Sequence, residues 1–287
     1  MVSEGAEKGD SGKKVSFFEK NDTICPICAH TFKKEVLLSG GGRMIAGNLQ
    51  QDLRRKYEPS KKFGEVFPYI YYVTTCPGCW YSALSTDFTA LDPKVVVKIE
   101  ADTENRKKDM GLIFDSLDFT GTRSMKEGTA SYYLALNCYQ YWPSAQSPTF
   151  KMAVCALRSA WGFSELHRKF PGENYDYLEK ILYHKARFLY QLVMEKEQSG
   201  QESVGSIAHF GPDVDNNFGF DGVMYLAGFL EYKYGDHSNE QKRLSSLSAA
   251  RRAIAKLVGM GKSSKNKPSV LVEMARDLHH EMGEEFE

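Results

Sequence analysis

Two patterns of apolar residues divide the chain. From Ser124 onward, apolar side chains recur at three- and four-residue spacing, the period of a helix that buries one face. In the N-terminal third they come as short aromatic and β-branched runs, broken by Gly, Pro and Asn. The pattern predicts an α+β protein, mostly α. A small irregular module comes first and a helical half follows.

The helical half opens with a capping-box signature. In Ser124-x-x-Glu127, the Ser and Glu side chains can satisfy each other's free backbone N–H groups. A helix is expected from there through Tyr132, Tyr133, Leu136 and Tyr139, ended by Trp142-Pro143-Ser144. A second helix, over 149–169, puts Ala153, Leu157, Ala160 and Trp161 on one face. A third, over 174–197, aligns Leu178, Ile181, Leu182, Leu189, Leu192 and Val193. Residues 199–217 read as a loop, and three more helices are expected over 218–234, 240–260 and 268–284. Tyr132, Tyr133, Tyr139 and Trp161 are expected to fill the core rather than line a groove. Two stretches match a tetratricopeptide pattern with lengthened turns. They are Leu134-Ala135-x-x-Cys138 with Ala153-x-x-x-Leu157-x-x-Ala160, and Leu226-Ala227-x-x-Leu230 with Ala250-x-x-x-Ile254-x-x-Leu257. Small residues at such positions let antiparallel helices approach closely. Upstream, Asp92-Pro93 is a helix start, with Asp as N-cap and Pro in the first turn. It predicts one charged connecting helix over 93–108.

The N-terminal module carries the chemistry. Cys25-Pro26-Ile27-Cys28 and Cys76-Pro77-Gly78-Cys79 form two C-P-x-C pairs. Four thiolates are the donor set of a tetrahedral zinc ion. Each proline fixes φ inside a tight turn, so both sulfurs of a pair face one point. Residues 29–75 separate the pairs, more than the roughly 15–20 residues of compact sites of this kind. A zinc ribbon with a long insertion accounts for the gap. The run 67–73 reads as a strand leading into the second pair, and 36–38 as a partner strand after the first. Ser39-Gly40-Gly41-Gly42 breaks the chain, and the insertion over 43–62 is expected to be polar, basic and partly helical. Other meanings of a C-x-x-C remain. A redox motif belongs at a strand-to-helix junction in a βαβ unit, a pattern missing around either pair. Disulfides would call for export, and the Gly-, Glu- and Lys-rich start has no apolar signal region.

Composition narrows the classes. The chain has 287 residues, 42% of them hydrophobic and 13% aromatic, enough for a sizeable core. Lysine plus arginine and aspartate plus glutamate each number 37, so the formal net charge is zero. A general polyanion binder would be basic overall. No apolar run approaches the roughly 20 residues needed to span a bilayer. Cys138 and Cys155 stand alone among apolar and small residues and read as buried core thiols. Reduced cysteines without a signal region fit a cytoplasmic protein.

The assembled residues resemble the bacterial Domain of Unknown Function 2225 family. The matching stretches are Phe17-Phe18 with Cys25-Pro26-x-Cys28, and Tyr72-x-x-x-Cys76-Pro77-x-Cys79-x-Tyr81 with Asp87-Phe88. The resemblance implies a zinc-binding, cytoplasmic, tetratricopeptide-like protein with Cys25, Cys28, Cys76 and Cys79 as ligands, and implies no activity. Family members often have Gly after a knuckle, where this chain has Ala29 and Trp80. The expected organisation is a disordered tail over 1–14, a zinc-ribbon-like module over 15–91, a helical connector over 92–122 and a tetratricopeptide-like domain over 123–287.

Remaining candidates weigh less. His30 is a possible substitute ligand. The Asp213–Gly222 region (213–222) is rich in side-chain oxygens but lacks the Gly and Glu that a calcium loop places sixth and twelfth, so it reads as a turn with a helix cap. His279-His280 reads as a solvated face. The expected function is a non-enzymatic scaffold with a structural zinc ion and a helical surface for a protein or peptide partner, with no catalytic residues and no membrane. The alternatives are a nucleic-acid-binding zinc ribbon using the basic insertion, and a thiol oxidoreductase.

Overall fold

A computed structural model describes residues 14–207, 217–260 and 268–285. The tail expected over 1–14 lies outside the described residues except for Lys14, and so does most of the 199–217 loop beyond Ile207. Among the described residues the chain is mostly helical, with three small antiparallel sheets of two strands each.

Each sheet is a hairpin. β1 (Ser16–Ile24) pairs with β2 (Thr31–Leu37), β3 (Ile45–Leu49) with β4 (Arg55–Glu58), and β5 (Val73–Thr75) with β6 (Ser82–Leu84). The first and third hairpins carry the cysteine knuckles at their turns. The middle hairpin corrects the expectation of a partly helical insertion. No apolar stripe of helical period runs through it, and its tip finds partners far along the chain instead. The run 67–73 is also corrected. Pro68 has no N–H to give a ladder, so Pro68–Tyr71 forms a 3-10 turn and the strand begins only at Val73.

The connector is two helices, α1 (Pro93–Ala101) and α2 (Thr103–Gly111), not one over 93–108. The Asp92 carboxylate caps α1 by accepting from Lys94 N at 2.7 Å. The break at Asp102 lets Arg106 turn inward and donate to the Ile99 carbonyl at 2.6 Å. Six longer helices follow: α3 (Met125–Tyr139), α4 (Pro148–Lys169), α5 (Tyr175–Ser199), α6 (Gly219–Tyr234), α7 (Glu240–Met260) and α8 (Ser269–Glu284). Both halves of the Ser124–Glu127 capping box are formed. Consecutive helices pack against one another from α3 to α8. A Cβ on Gly162 of α4 would sit 2.2 Å from Thr129 Oγ1 of α3, so only glycine permits that approach. Tyr132, Tyr139 and Trp161 are buried, in line with a core role.

α3 also carries the second knuckle. Arg123, just ahead of it, donates to the carbonyls of Ile70 and Val73 at 2.7 and 2.6 Å. Further along, the Tyr139 hydroxyl accepts from Leu84 N at 2.9 Å. The β3–β4 tip ties the N-terminal third to the helices more deeply. Asp52 Oδ2 accepts from Trp161 Nε1 at 2.6 Å and from the Tyr183 hydroxyl at 2.9 Å, while Oδ1 accepts from Arg54 N at 3.2 Å. Arg54 is itself buried in an ion pair with Glu165. Leu53 between them is fully buried with φ of 60°, a left-handed conformation that a branched residue adopts only under constraint.

Candidate metal centre

The two knuckles are built alike. In the first, Ala29 N donates to the Cys25 carbonyl at 3.0 Å and Cys25 N to the His30 carbonyl at 2.9 Å. In the second, Trp80 N donates to the Cys76 carbonyl and Cys76 N to the Tyr81 carbonyl, both at 2.9 Å. Closing the turn puts the residue after each second cysteine in the left-handed region, with φ of 57° at Ala29 and 58° at Trp80. That is why glycine suits these positions. Trp80 is held there by edge-on packing against Phe119, with centroids 5.6 Å apart. The third knuckle position of the second pair has little room. A Cβ on Gly78 would lie 3.2 Å from His30 and 3.4 Å from Cys28 Sγ.

The hairpins bring the knuckles face to face. Cys25 Sγ lies 3.6 Å from Cys79 Sγ, and Cys28 Sγ lies 3.6 Å from Cys76 Sγ. All four sulfurs fall within 4.8 Å of one another. A tetrahedral ion with metal–sulfur bonds of about 2.3 Å needs sulfur–sulfur edges of about 3.8 Å. The donor set and its spacing therefore fit a metal ion. Cys25, Cys76 and Cys79 are buried and Cys28 is exposed, so the site is seated in the module with one edge toward solvent. His30 is not part of the four-sulfur group. It stacks on Phe32 instead.

Electrostatics set two of the thiols apart. Sulfur contacts from Cys76 and then Cys79 hold the Cys25 thiol down, to about 4. Contacts with Cys25 and Cys76, with burial, push Cys79 the other way. A bound cation would draw all four sulfurs to thiolates. Backbone and side-chain donors help hold that charge. Ile27 N donates to Cys25 Sγ at 3.4 Å. The buried Arg106 guanidinium donates to the Cys79 carbonyl at 3.1 Å, bringing a cation beside the second knuckle. Tyr81, two residues past Cys79, packs on Phe88 with their rings 4.9 Å apart. Sequence reasoning missed Arg106, because nothing sets it apart from the other basic residues of a charged helix.

The other candidates lie elsewhere. Cys138 and Cys155 are buried among the helices, where burial pushes the Cys138 thiol up to about 11 and Cys155 higher still. His279 and His280 sit on α8, with His280 exposed 3.7 Å from Glu284. In the oxygen-rich stretch, residues 213–216 lie outside the described residues. Asn217 Oδ1 accepts from Gly219 N at 3.0 Å, a cap at the start of α6. Of the basic insertion, Arg54 is buried against Glu165 and does not face solvent. No helix of the described residues is long and apolar enough to cross a membrane.

Residues 18–282 match the family model described as an uncharacterized protein conserved in bacteria (DUF2225). The chain is also similar to an uncharacterized protein of Borreliella burgdorferi. The two are 41% identical over 275 residues, which cover 96% of this chain and 98% of the relative. No solved structure matches the chain.

Proposed function

The chain belongs to the DUF2225 family of proteins conserved in bacteria, and on that premise we propose that it is a non-enzymatic interaction protein folded around a structural zinc ion. The observation that carries this reading is the closed donor set. Cys25, Cys28, Cys76 and Cys79 supply all four positions of a tetrahedron, which leaves none for a substrate or an activated water. All-thiolate tetrahedral sites select zinc or an iron–sulfur centre, and the pairing of two knuckles on two short hairpins favours a zinc-ribbon-like module over 15–91. In zinc-finger peptides, metal binding supplies roughly 10–16 kcal/mol of folding free energy, which suits a module built from two-stranded sheets.

The partner surface belongs to the tetratricopeptide-like helices over 123–287, joined to the module by the connector over 92–122. Support comes from α5. Tyr177, Ile181 and Phe188 are 65%, 43% and 52% exposed, and their spacing aligns them within about 40° on one face of a helix. A stripe of large exposed apolar side chains on a charged helix marks a contact surface for a protein or peptide. The cytoplasm, where thiolates stay reduced, is the compartment this chemistry suits.

Two measurements test the reading. Metal analysis of the purified protein should find one zinc per chain, with four thiols becoming reactive only after chelation. Zinc below stoichiometry with freely reactive thiols would overturn the structural assignment. Affinity capture from producing cells should retain a specific protein with the parent chain and lose it with Ile181→Glu plus Phe188→Glu. Equal capture by both would remove α5 as the surface.

A further inference from the structure

A cleft of about 570 Å³ opens where the second-knuckle hairpin meets α4. It falls within the size range of small-molecule sites, which is roughly 300–1,000 Å³. Its lining surface is mostly apolar, with Leu84, Trp142 and Phe150 among its residues and Asp87 as its carboxylate. Its floor is one face of α4. Lys151, Val154 and Arg158 all line it. Their spacing of three and then four residues keeps them on one stripe, with about 10.5 Å of rise from the first to the last.

Lys151 is the chemical feature of the cleft. It is 9% exposed, an uncommon degree of burial for a lysine. Its ammonium lies 2.8 Å from Asp87 Oδ2 and over the rings of Trp142 and Tyr139, at 4.8 and 5.6 Å from their centroids. The same Asp87 oxygen also accepts from the Tyr139 hydroxyl at 2.7 Å. An ammonium has three N–H groups, and Asp87 is the oxygen acceptor that Lys151 meets among the described residues. The ammonium, paired with Asp87 and lying over the two rings, faces one end of a largely apolar trough, where a second acceptor oxygen can add to Asp87. A carboxylate oxygen gives the stronger, charge-assisted bond. At the other end, Arg158 closes the trough, its guanidinium stacked over Tyr72 and Tyr132.

We propose that this cleft binds a small monocarboxylate with an unbranched apolar tail, the carboxylate on Lys151 and the tail lying along Val154 toward Arg158. The site adds a small-molecule ligand to an interaction protein and stands whether or not α5 carries the partner.

The test uses the full chain and straight-chain carboxylates from butanoate to decanoate, read by the change in Trp142 emission and by thermal shift. Affinity should rise roughly fourfold per methylene, the factor for burying one such group, and level off once the tail spans the trough. Octanoate should bind at least tenfold more tightly than octylamine, and octanamide should fall between them. Val154→Trp, which fills the floor, should abolish octanoate binding. Lys151→Met should remove the preference for carboxylate over amide, with folding checked by circular dichroism. No saturable binding of any carboxylate overturns the proposal. So does octylamine binding as well as octanoate, or an affinity unaltered by Val154→Trp. Should Val154→Trp fail to fold, the Lys151→Met preference decides alone.

Discussion

Replacing Asp52 by Ala tests whether the β3–β4 hairpin is anchored in the helices or merely rests on them. The substitution removes the acceptor of Trp161 Nε1 at 2.6 Å and of the Tyr183 hydroxyl at 2.9 Å, both buried, and of Arg54 N at 3.2 Å. Each buried donor left unmet is worth about 1–3 kcal/mol. An adjoining cleft of about 440 Å³ borders Asp52 and Tyr183, so water can reach part of the wound, and the lower half of the range applies. Two side-chain donors and one backbone donor then sum to about 3–6 kcal/mol of lost stability. Asp52→Asn keeps one acceptor oxygen and turns the other into a donor, so about 1–2 kcal/mol is expected. The assay is urea unfolding followed by far-ultraviolet circular dichroism, with Trp161→Phe added to complete a double-mutant cycle. Coupling between Asp52 and Trp161 should exceed about 1 kcal/mol, as found for residues in direct contact. A loss below about 0.5 kcal/mol for Asp52→Ala, the range of ordinary surface substitutions, or an additive cycle, would refute the anchoring.

Ala29→Gly should stabilise the protein by about 0.5–1 kcal/mol, because the left-handed φ at Ala29 penalises any residue with a Cβ; equal or lower stability in urea would contradict that. Iodoacetamide at pH 8 should leave Cys138 and Cys155 unmodified in the native protein, since burial raises both thiols above the working pH; mass mapping that finds either alkylated before unfolding would count against their packing. Burial raises the Glu165 carboxyl, but Arg54 and Arg168 outweigh it and hold the folded-state value below the ordinary one. Its contribution is therefore present above the unfolded value of about 4.3 and lost as pH falls through the folded value. The stability gap between the parent and Glu165→Gln should be full at neutral pH and close below about pH 4. A gap that widens on acidification would reverse the assignment.

What could be read from the sequence was local. The cysteine pairs announce themselves because a proline between two thiols within four residues, found twice, reads locally as a pair of knuckles. The Ser124 box and the Asp92 cap are legible because their partners lie two or three residues away. The limits of α4, α5 and α7 follow from apolar period and from turn residues. The insertion was misread because its structure is decided elsewhere. Asp52 meets acceptor-seeking groups 109 and 131 residues further on, and no local signal announces them. Arg106 and the Lys151–Asp87 pair share that property. Each looks like a solvated charge until the fold places a carbonyl or a carboxylate beside it. Trp80 was a partial warning, since a large residue where glycine suits the turn needs outside support, here from Phe119.

The hairpin between the cysteine pairs has a further consequence, for how its length can vary. A stretch inserted between two halves of a metal site is ordinarily where residues are gained and lost with least harm. Here a single residue added to or removed from β3 would exchange the two faces of the strand and move Asp52 off Trp161, a deletion setting Leu53 and an insertion Gln51 where the carboxylate now sits. The segment is long by the standard of such sites, yet it is fixed in register at its tip and at both ends.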